Sequence, residues 1–204
     1  VLIIVYDEDR QASIIVDEIN PSEVTIEELS KLILNVAYPR KLQAEAPPNA
    51  ILLDTGVADK AGRARSDHTG LSAFRLIRKT PSEGGIGLPL RSTTDPVRID
   101  ILNGVQRLKR AFNSNKYLIT REVWDAGERV PGNSIRKALL SYQWERTKEQ
   151  PKKDGREDPL DALRYDCIMW RWADDSTVDR RKYQPRATPK GTLTDNGKFE
   201  LNTD

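Results

Sequence analysis

Apolar and polar positions alternate in a readable order over the first 54 residues. Val1–Tyr6 (VLIIVY) is a β-branched run that stops at Asp7, Glu8, Asp9 and Arg10, and Ser13–Ile19 (SIIVDEI) resumes it. Two short runs of this composition joined by a polar turn predict an antiparallel hairpin. Pro21 and Ser22 break the pattern. Thr25, with Glu28 three residues on, then has the spacing of a capping box, in which each side chain bonds the other's backbone N–H. Ile26, Leu29, Ile33 and Val36 follow at helical spacing, and Pro39 ends the run. A polar link with Pro47 and Pro48 leads to the apolar run Ala50–Leu53, closed by Asp54-Thr55-Gly56. Hairpin, helix and buried strand make an α/β pattern, with the last strand parallel to an earlier one.

Beyond this point the periodicity comes and goes. Residues 57–70 read as a basic loop, Ser72–Lys79 as a short amphipathic helix, and Glu83–Leu90, with three glycines and a proline, as a mobile loop. From Pro96 to Asn113 the apolar positions Ile99, Leu102, Val105, Leu108 and Phe112 keep helical spacing. Tyr117–Thr120 reads as a short strand. Asn133 is the expected cap of a helix from Ser134 to about Arg146, and Leu160–Trp172 is a further helix with Pro159 near its first turn, where a missing N–H costs least. Apolar residues thin out after Asp174, so residues 1–173 are expected to form one domain and 174–204 a polar tail, extended or disordered. No internal repeat is visible.

Composition narrows the function classes. A chain of 204 residues is expected to bury about 70% of the surface its unfolded form exposes. No run approaches the ~18 uninterrupted apolar residues of a membrane span, and the short apolar opening lacks the basic flank of a leader. The lone Cys167 excludes an internal disulfide framework and a cysteine-based zinc site. The 33 basic and 31 acidic residues nearly balance; nucleic acid stays open as a partner, because such proteins use basic patches rather than uniform charge. The chain opens on Val1 and has its one methionine at Met169, so it reads as a piece of a longer polypeptide.

Few residues can carry chemistry. Asp54 ends the apolar run Ile51–Leu53, and ligands of α/β sheets bind at the carboxyl ends of strands; the alternative is a turn-forming aspartate. Asp154, Glu157, Asp158 and Asp161 cluster at the start of the last helix, and Asp158 and Asp161, three apart, share one face. Acids near a helix start are also favoured by capping and the macrodipole. Asp161, however, lies a turn inside between Leu160 and Leu163, and an acid beside the apolar stripe needs a partner. A hard divalent cation with oxygen ligands is one such partner. His68, the only histidine, reads as a surface loop residue, and without a second histidine a histidine-rich metal site is impossible. No G-x-x-x-x-G-K-[ST] phosphate loop is present, and Gly84-Gly85-x-Gly87 lacks the strand–turn–helix setting. Basic residues come in clusters, including Lys60/Arg63/Arg65, Arg75/Arg78/Lys79 and Lys152/Lys153. Basic groups around a small acidic pocket are what a metal-dependent nuclease requires.

The segment Ser141-Tyr142-Gln143-Trp144, then Pro151-Lys152-Lys153, then Glu157-Asp158-Pro159-Leu160-Asp161-Ala162-Leu163-Arg164-Tyr165 resembles the C-terminal end of the nuclease domain of tailed-phage large terminase subunits. That family has an aromatic Y-x-W, a P-x-K stretch and an Asp/His-x-x-Asp-Ala-x-Arg-Tyr helix in this order. The opening is similar too: a hairpin ending in Asp17-Glu18, a helix beginning Thr25-x-Glu27-Glu28-Leu29, and a strand ending in an acid. The resemblance covers about residues 1–172 and is weakest between 57 and 130.

It implies an RNase H-like fold and an endonuclease, a phosphodiester hydrolase that cuts concatemeric double-stranded DNA with one or two Mg²⁺ or Mn²⁺ ions. The family's strand acid falls on Asp54, its helix acid on Asp161 and the His or Asp before it on Asp158. Lys153 falls on the lysine of the P-x-K stretch, near substrate phosphates, and Lys60, Arg63 and Arg65 are further backbone-gripping candidates. The family's first acid lies on a strand before the hairpin. Here either that strand precedes Val1, or Val1–Tyr6 is that strand and Asp7 is the acid. The implied partners are DNA, an upstream ATPase domain, the small terminase subunit and the portal, in the host cytoplasm at the procapsid. Two other functions fit the same residues: a resolvase- or integrase-type nuclease of this fold, and a catalytically silent docking or DNA-binding module.

Overall fold

The computed structural model describes residues 1–21, 23–64, 70–92, 101–130, 132–145, 150–151, 158–169, 191–193 and 199–201. In chain order the elements are β1 (Leu2–Asp7), β2 (Ala12–Glu18), α1 (Ile26–Leu34), β3 (Ala37–Pro39), β4 (Ile51–Leu53), β5 (Gly56–Val57) and α2 (Ala73–Arg78). These are followed by β6 (Leu90–Arg91), α3 (Ile101–Asn113), β7 (Tyr117–Ile119), α4 (Arg121–Arg129), α5 (Ile135–Ser141), β8 (Trp144–Glu145), β9 (Gln150–Pro151), α6 (Asp158–Met169), β10 (Gly191–Leu193) and β11 (Phe199–Leu201). The fold is mixed α/β. It divides into two compact units: Val1–Glu18 with Asp100–Asp204, and Ile19–Ile99. None of the described helices is long and apolar enough to cross a membrane.

The first unit is built on the expected hairpin. β1 and β2 pair antiparallel, and β7 adds parallel to β2, giving the order β1-β2-β7. Asp7 closes the turn, its carboxylate accepting from the Arg10 backbone N–H and guanidinium at 3.0 and 3.1 Å. As the central strand, β2 has Ala12–Ile15 buried in succession rather than alternately, as expected of a strand covered on both faces. Its Ile15 joins Leu108, Tyr117, Val123, Ile135, Ala138, Leu160, Leu163 and Cys167 in one core. α3 and α5 pack on α6, whose face Leu160, Leu163, Cys167 and Ile168 is buried.

The second unit opens on α1, where Thr25 and Glu28 form the capping box the sequence predicted. Helix periodicity was expected to run to Val36, but α1 stops at Leu34 and residues 37–39 form β3, parallel to β4. Pro39, at the end of β3, accordingly ends a strand rather than a helix. Ser72 caps α2 by accepting from the Arg75 N–H. The clearest correction is at 83–90, expected to be a mobile loop. Ile86, Leu88 and Leu90 are buried, and Ile86 and Leu88 form the core with Ile33. The glycines serve a tight return rather than mobility: the Ile86 and Gly87 N–H groups both donate to Ile77 O.

Elsewhere the boundaries shift. α4 was not expected at all; Thr120, read as a strand end, is its N-cap. The cap of α5 is Ser134 rather than Asn133, since the Ser134 hydroxyl accepts from the Lys137 N–H and donates to Gly127 O. α5 ends at Ser141, well before Arg146, because the chain turns extended into β8. α3 begins at Ile101; 96–100 lie outside the described residues, as do 170–172 at the end of the last helix. In the tail, β10 and β11 pair antiparallel; its other residues lie outside those described.

Candidate functional site

Asp54 follows β4 directly, at the carboxyl end of the strand, as expected. The parallel register pairs Ala37 with Ile51 and Pro39 with Leu53, so continuing both strands by one residue brings Arg40 beside Asp54. The two make a forked ion pair, Arg40 Nε to Oδ1 at 2.7 Å and Nη2 to Oδ2 at 3.3 Å, with both side chains about three-quarters buried. Two-pronged guanidinium–carboxylate pairs are among the stronger polar contacts. The turn is made by neighbours instead: Thr55 Oγ1 and the Gly56 N–H both donate to Pro89 O.

In the same unit, Lys60 and Arg63 begin and end a 3₁₀ turn capped by Asp59, and both are exposed. The Arg63 guanidinium lies 5.5 Å from the Phe74 ring centroid. Arg65, His68 and Lys153 lie outside the described residues.

α6 holds the other two candidates. Asp158 and Asp161 both lie in its first turn, Asp158 exposed and Asp161 about one-third exposed. The partner that Asp161 needs is Arg164, one turn on, whose Nε donates to Oδ1 at 3.0 Å. Arg164 is itself buried, with its guanidinium 4.7 Å from the Tyr165 ring centroid. Burial works against its charge, but the bond and attraction to Asp161, with smaller contributions from Tyr165, together outweigh this and raise its pKa. The Asp-x-x-Arg spacing was visible in the sequence; that the arginine, rather than the aspartate, is the buried member was not.

Two acids outside the predicted set are also engaged in the first unit. Asp166 is buried and accepts from the Tyr117 hydroxyl at 2.6 Å. Beside it, burial first and the Asp166 charge second push the Cys167 thiol up to about 12, with Arg107 pulling the other way, so this thiol is inert at neutral pH. Glu18, at the end of β2, takes the Ile135 N–H at the start of α5 on both oxygens, at 2.8 and 3.0 Å. Burial pushes the Glu18 carboxyl up, partly opposed by that N–H. A pKa raised on folding means the protonated acid favours the fold. The contribution is therefore full below the ordinary carboxylate range and is lost as pH rises through the raised value. The urea midpoint of the wild-type chain relative to that of Glu18→Gln is therefore expected to fall as pH rises from about 4; a difference between the two proteins that does not change with pH would refute this.

Among the described residues no group of three His, Cys, Asp or Glu side chains is placed to hold a metal. Asp54 belongs to one unit, and Asp158 and Asp161 to the other. No protein-family model, curated protein or solved structure matches the chain.

Proposed function

We propose that this chain is the nuclease domain of a tailed-phage terminase large subunit, RNase H-like in fold, which cleaves double-stranded DNA during genome packaging. The observation that supports it best is the pair Asp158 and Asp161 in the first turn of α6, within the run Asp-x-x-Asp-Ala-x-Arg-Tyr on which the family resemblance rests. Mg²⁺ takes hard oxygen ligands, often one or two carboxylates with waters and substrate phosphates completing the shell. Asp158 and Asp161 fit that requirement. Bound there, Mg²⁺ or Mn²⁺ supplies an activated water and charge neutralisation at the phosphate.

The chain's own residues do the rest. The two α6 acids hold the cation through carboxylate oxygens, and Asp161 has Oδ1 already fixed by Arg164. Lys60 and Arg63, with Arg65 and Lys153, attract the phosphate backbone, which gives binding without base specificity. On this reading the partners are the upstream ATPase domain, the small terminase subunit and the portal, and the setting is the host cytoplasm at the procapsid.

A second reading has an observation in its favour. Asp54 and Asp161 are each already neutralised by a guanidinium, as suits a catalytically silent module that docks or binds DNA. The test is plasmid cleavage by the full chain in Mn²⁺, with EDTA and Asp161→Asn as controls, beside Mn²⁺ binding by calorimetry. The nuclease reading expects relaxed and linear products that disappear in both controls. Equal cleavage by wild type and Asp161→Asn, or neither cleavage nor Mn²⁺ binding, selects the silent module.

A further inference from the structure

We propose that Arg164 is a positioning residue: it holds the Asp161 carboxylate in the orientation in which that group takes a cation. The inference rests on the nuclease reading and names a residue on which the site depends. Asp161 alone is a short side chain about one-third exposed, free to change rotamer in water. Arg164 Nε fixes one of its oxygens, Oδ1, and the other remains for a metal.

Arg164 can do this because its own conformation is set by packing. Its side chain is 4% exposed, and α3 approaches it at Gly104, where an added Cβ would lie 2.6 Å from Arg164 Cδ and 2.7 Å from Cγ. The guanidinium rests on the Tyr165 ring. Ordering costs are thus met by the core of the unit rather than at the moment of binding.

The arrangement is a poor one for stability alone. Arg164 Nη1 is buried and has no hydrogen-bond partner among the described residues, and an unsatisfied buried donor on a charged group is costly. A leucine or methionine would fill the same space without that cost. What the arginine adds is the directed N–H on Asp161. Groups that orient metal ligands from behind commonly change metal affinity by about 10-fold to 100-fold.

The experiment is a double-mutant cycle on the full chain, read by Mn²⁺ calorimetry. Arg164→Met keeps the stem and removes the donor; it is expected to weaken Mn²⁺ binding about tenfold. In an Asp161→Asn background the same substitution is expected to change nothing further. Arg164→Lys, which keeps charge and stem but loses the planar fork, should recover part of the loss, leaving binding about threefold weaker than wild type. Wild-type affinity in Arg164→Met overturns the proposal, as does a tenfold loss that persists undiminished with Asp161→Asn. If Arg164→Met does not fold, Arg164→Lys decides alone, and wild-type affinity there overturns it. Absence of Mn²⁺ binding by the wild-type chain overturns the metal reading and this inference with it, a result distinct from intact binding that ignores Arg164.

Discussion

Gly85→Ala is expected to destabilise the second unit by on the order of 3 kcal/mol. A Cβ at this position would lie 2.3 Å from Lys79 O and 2.5 Å from Leu76 O. Both are backbone atoms at the end of α2, so no rotamer change relieves the clash. The chain doubles back there, with the Gly85 N–H on Thr80 O and the Ile86 N–H on Ile77 O, and it delivers Ile86 and Leu88 to the core beside Ile33. Pushing Gly85 outward withdraws both side chains. Gly70→Ala is the control: Gly70 has φ +63 but no described residue within 4 Å of an added Cβ, so the left-handed backbone penalty applies, about 1–2 kcal/mol. Hydrogen exchange at the Ile86 and Gly87 amides, with calorimetric melting, measures the difference. Equal losses for the two variants would contradict the packing argument.

That segment also marks where the sequence was hard to read. Gly84, Gly85 and Gly87 predict flexibility, whereas the apolar alternation of Ile86, Leu88 and Leu90 is the better guide, because all three of those side chains are buried. Elements with a local physical cause were legible. Thr25 and Glu28 announce α1 because both halves of a capping box lie within four residues, and the β1–β2 hairpin follows from two β-branched runs around a polar turn. α4 was missed because Arg121–Arg129 has few apolar residues, and only Val123 and Gly127 are buried. β3 was hidden by its length of three residues and by a helical apolar spacing that runs up to Val36, the residue before it.

The candidate site divides the same way. Asp54 at a strand end and Asp158 and Asp161 on one helical turn were readable from spacing alone. Their guanidinium partners differ in kind. Arg164 is three residues from Asp161, within reach of sequence reasoning. Arg40 reaches Asp54 only through the β3–β4 register, a tertiary fact that no periodicity in the chain contains.

Two substitutions on α6 should separate chemistry from folding. On the nuclease reading, Asp161→Asn is expected to lower Mn²⁺-dependent DNA cleavage by at least about 100-fold, since a metal ligand would matter no less than the groups that orient it. Its effect on stability should be smaller than that of a core truncation. The amide oxygen can still accept from Arg164 Nε, but the buried guanidinium loses its charged partner, so the cost is about 1.5–3 kcal/mol. Leu163→Ala is expected to behave in the opposite way. Leu163 is 0% exposed, within the core formed with Ile15, Leu108 and Ile135, and removing its isobutyl group leaves a cavity costing about 2–5 kcal/mol. Well below its lowered melting temperature, Leu163→Ala should cut DNA at nearly the wild-type rate, because the first-turn acids are not altered. Melting curves and single-turnover cleavage on both variants give four values, of which two should move strongly. If Asp161→Asn unfolds the chain as readily as Leu163→Ala while cleavage by its folded fraction stays normal, Asp161 is a structural acid serving its buried arginine, and the metal site must be sought elsewhere.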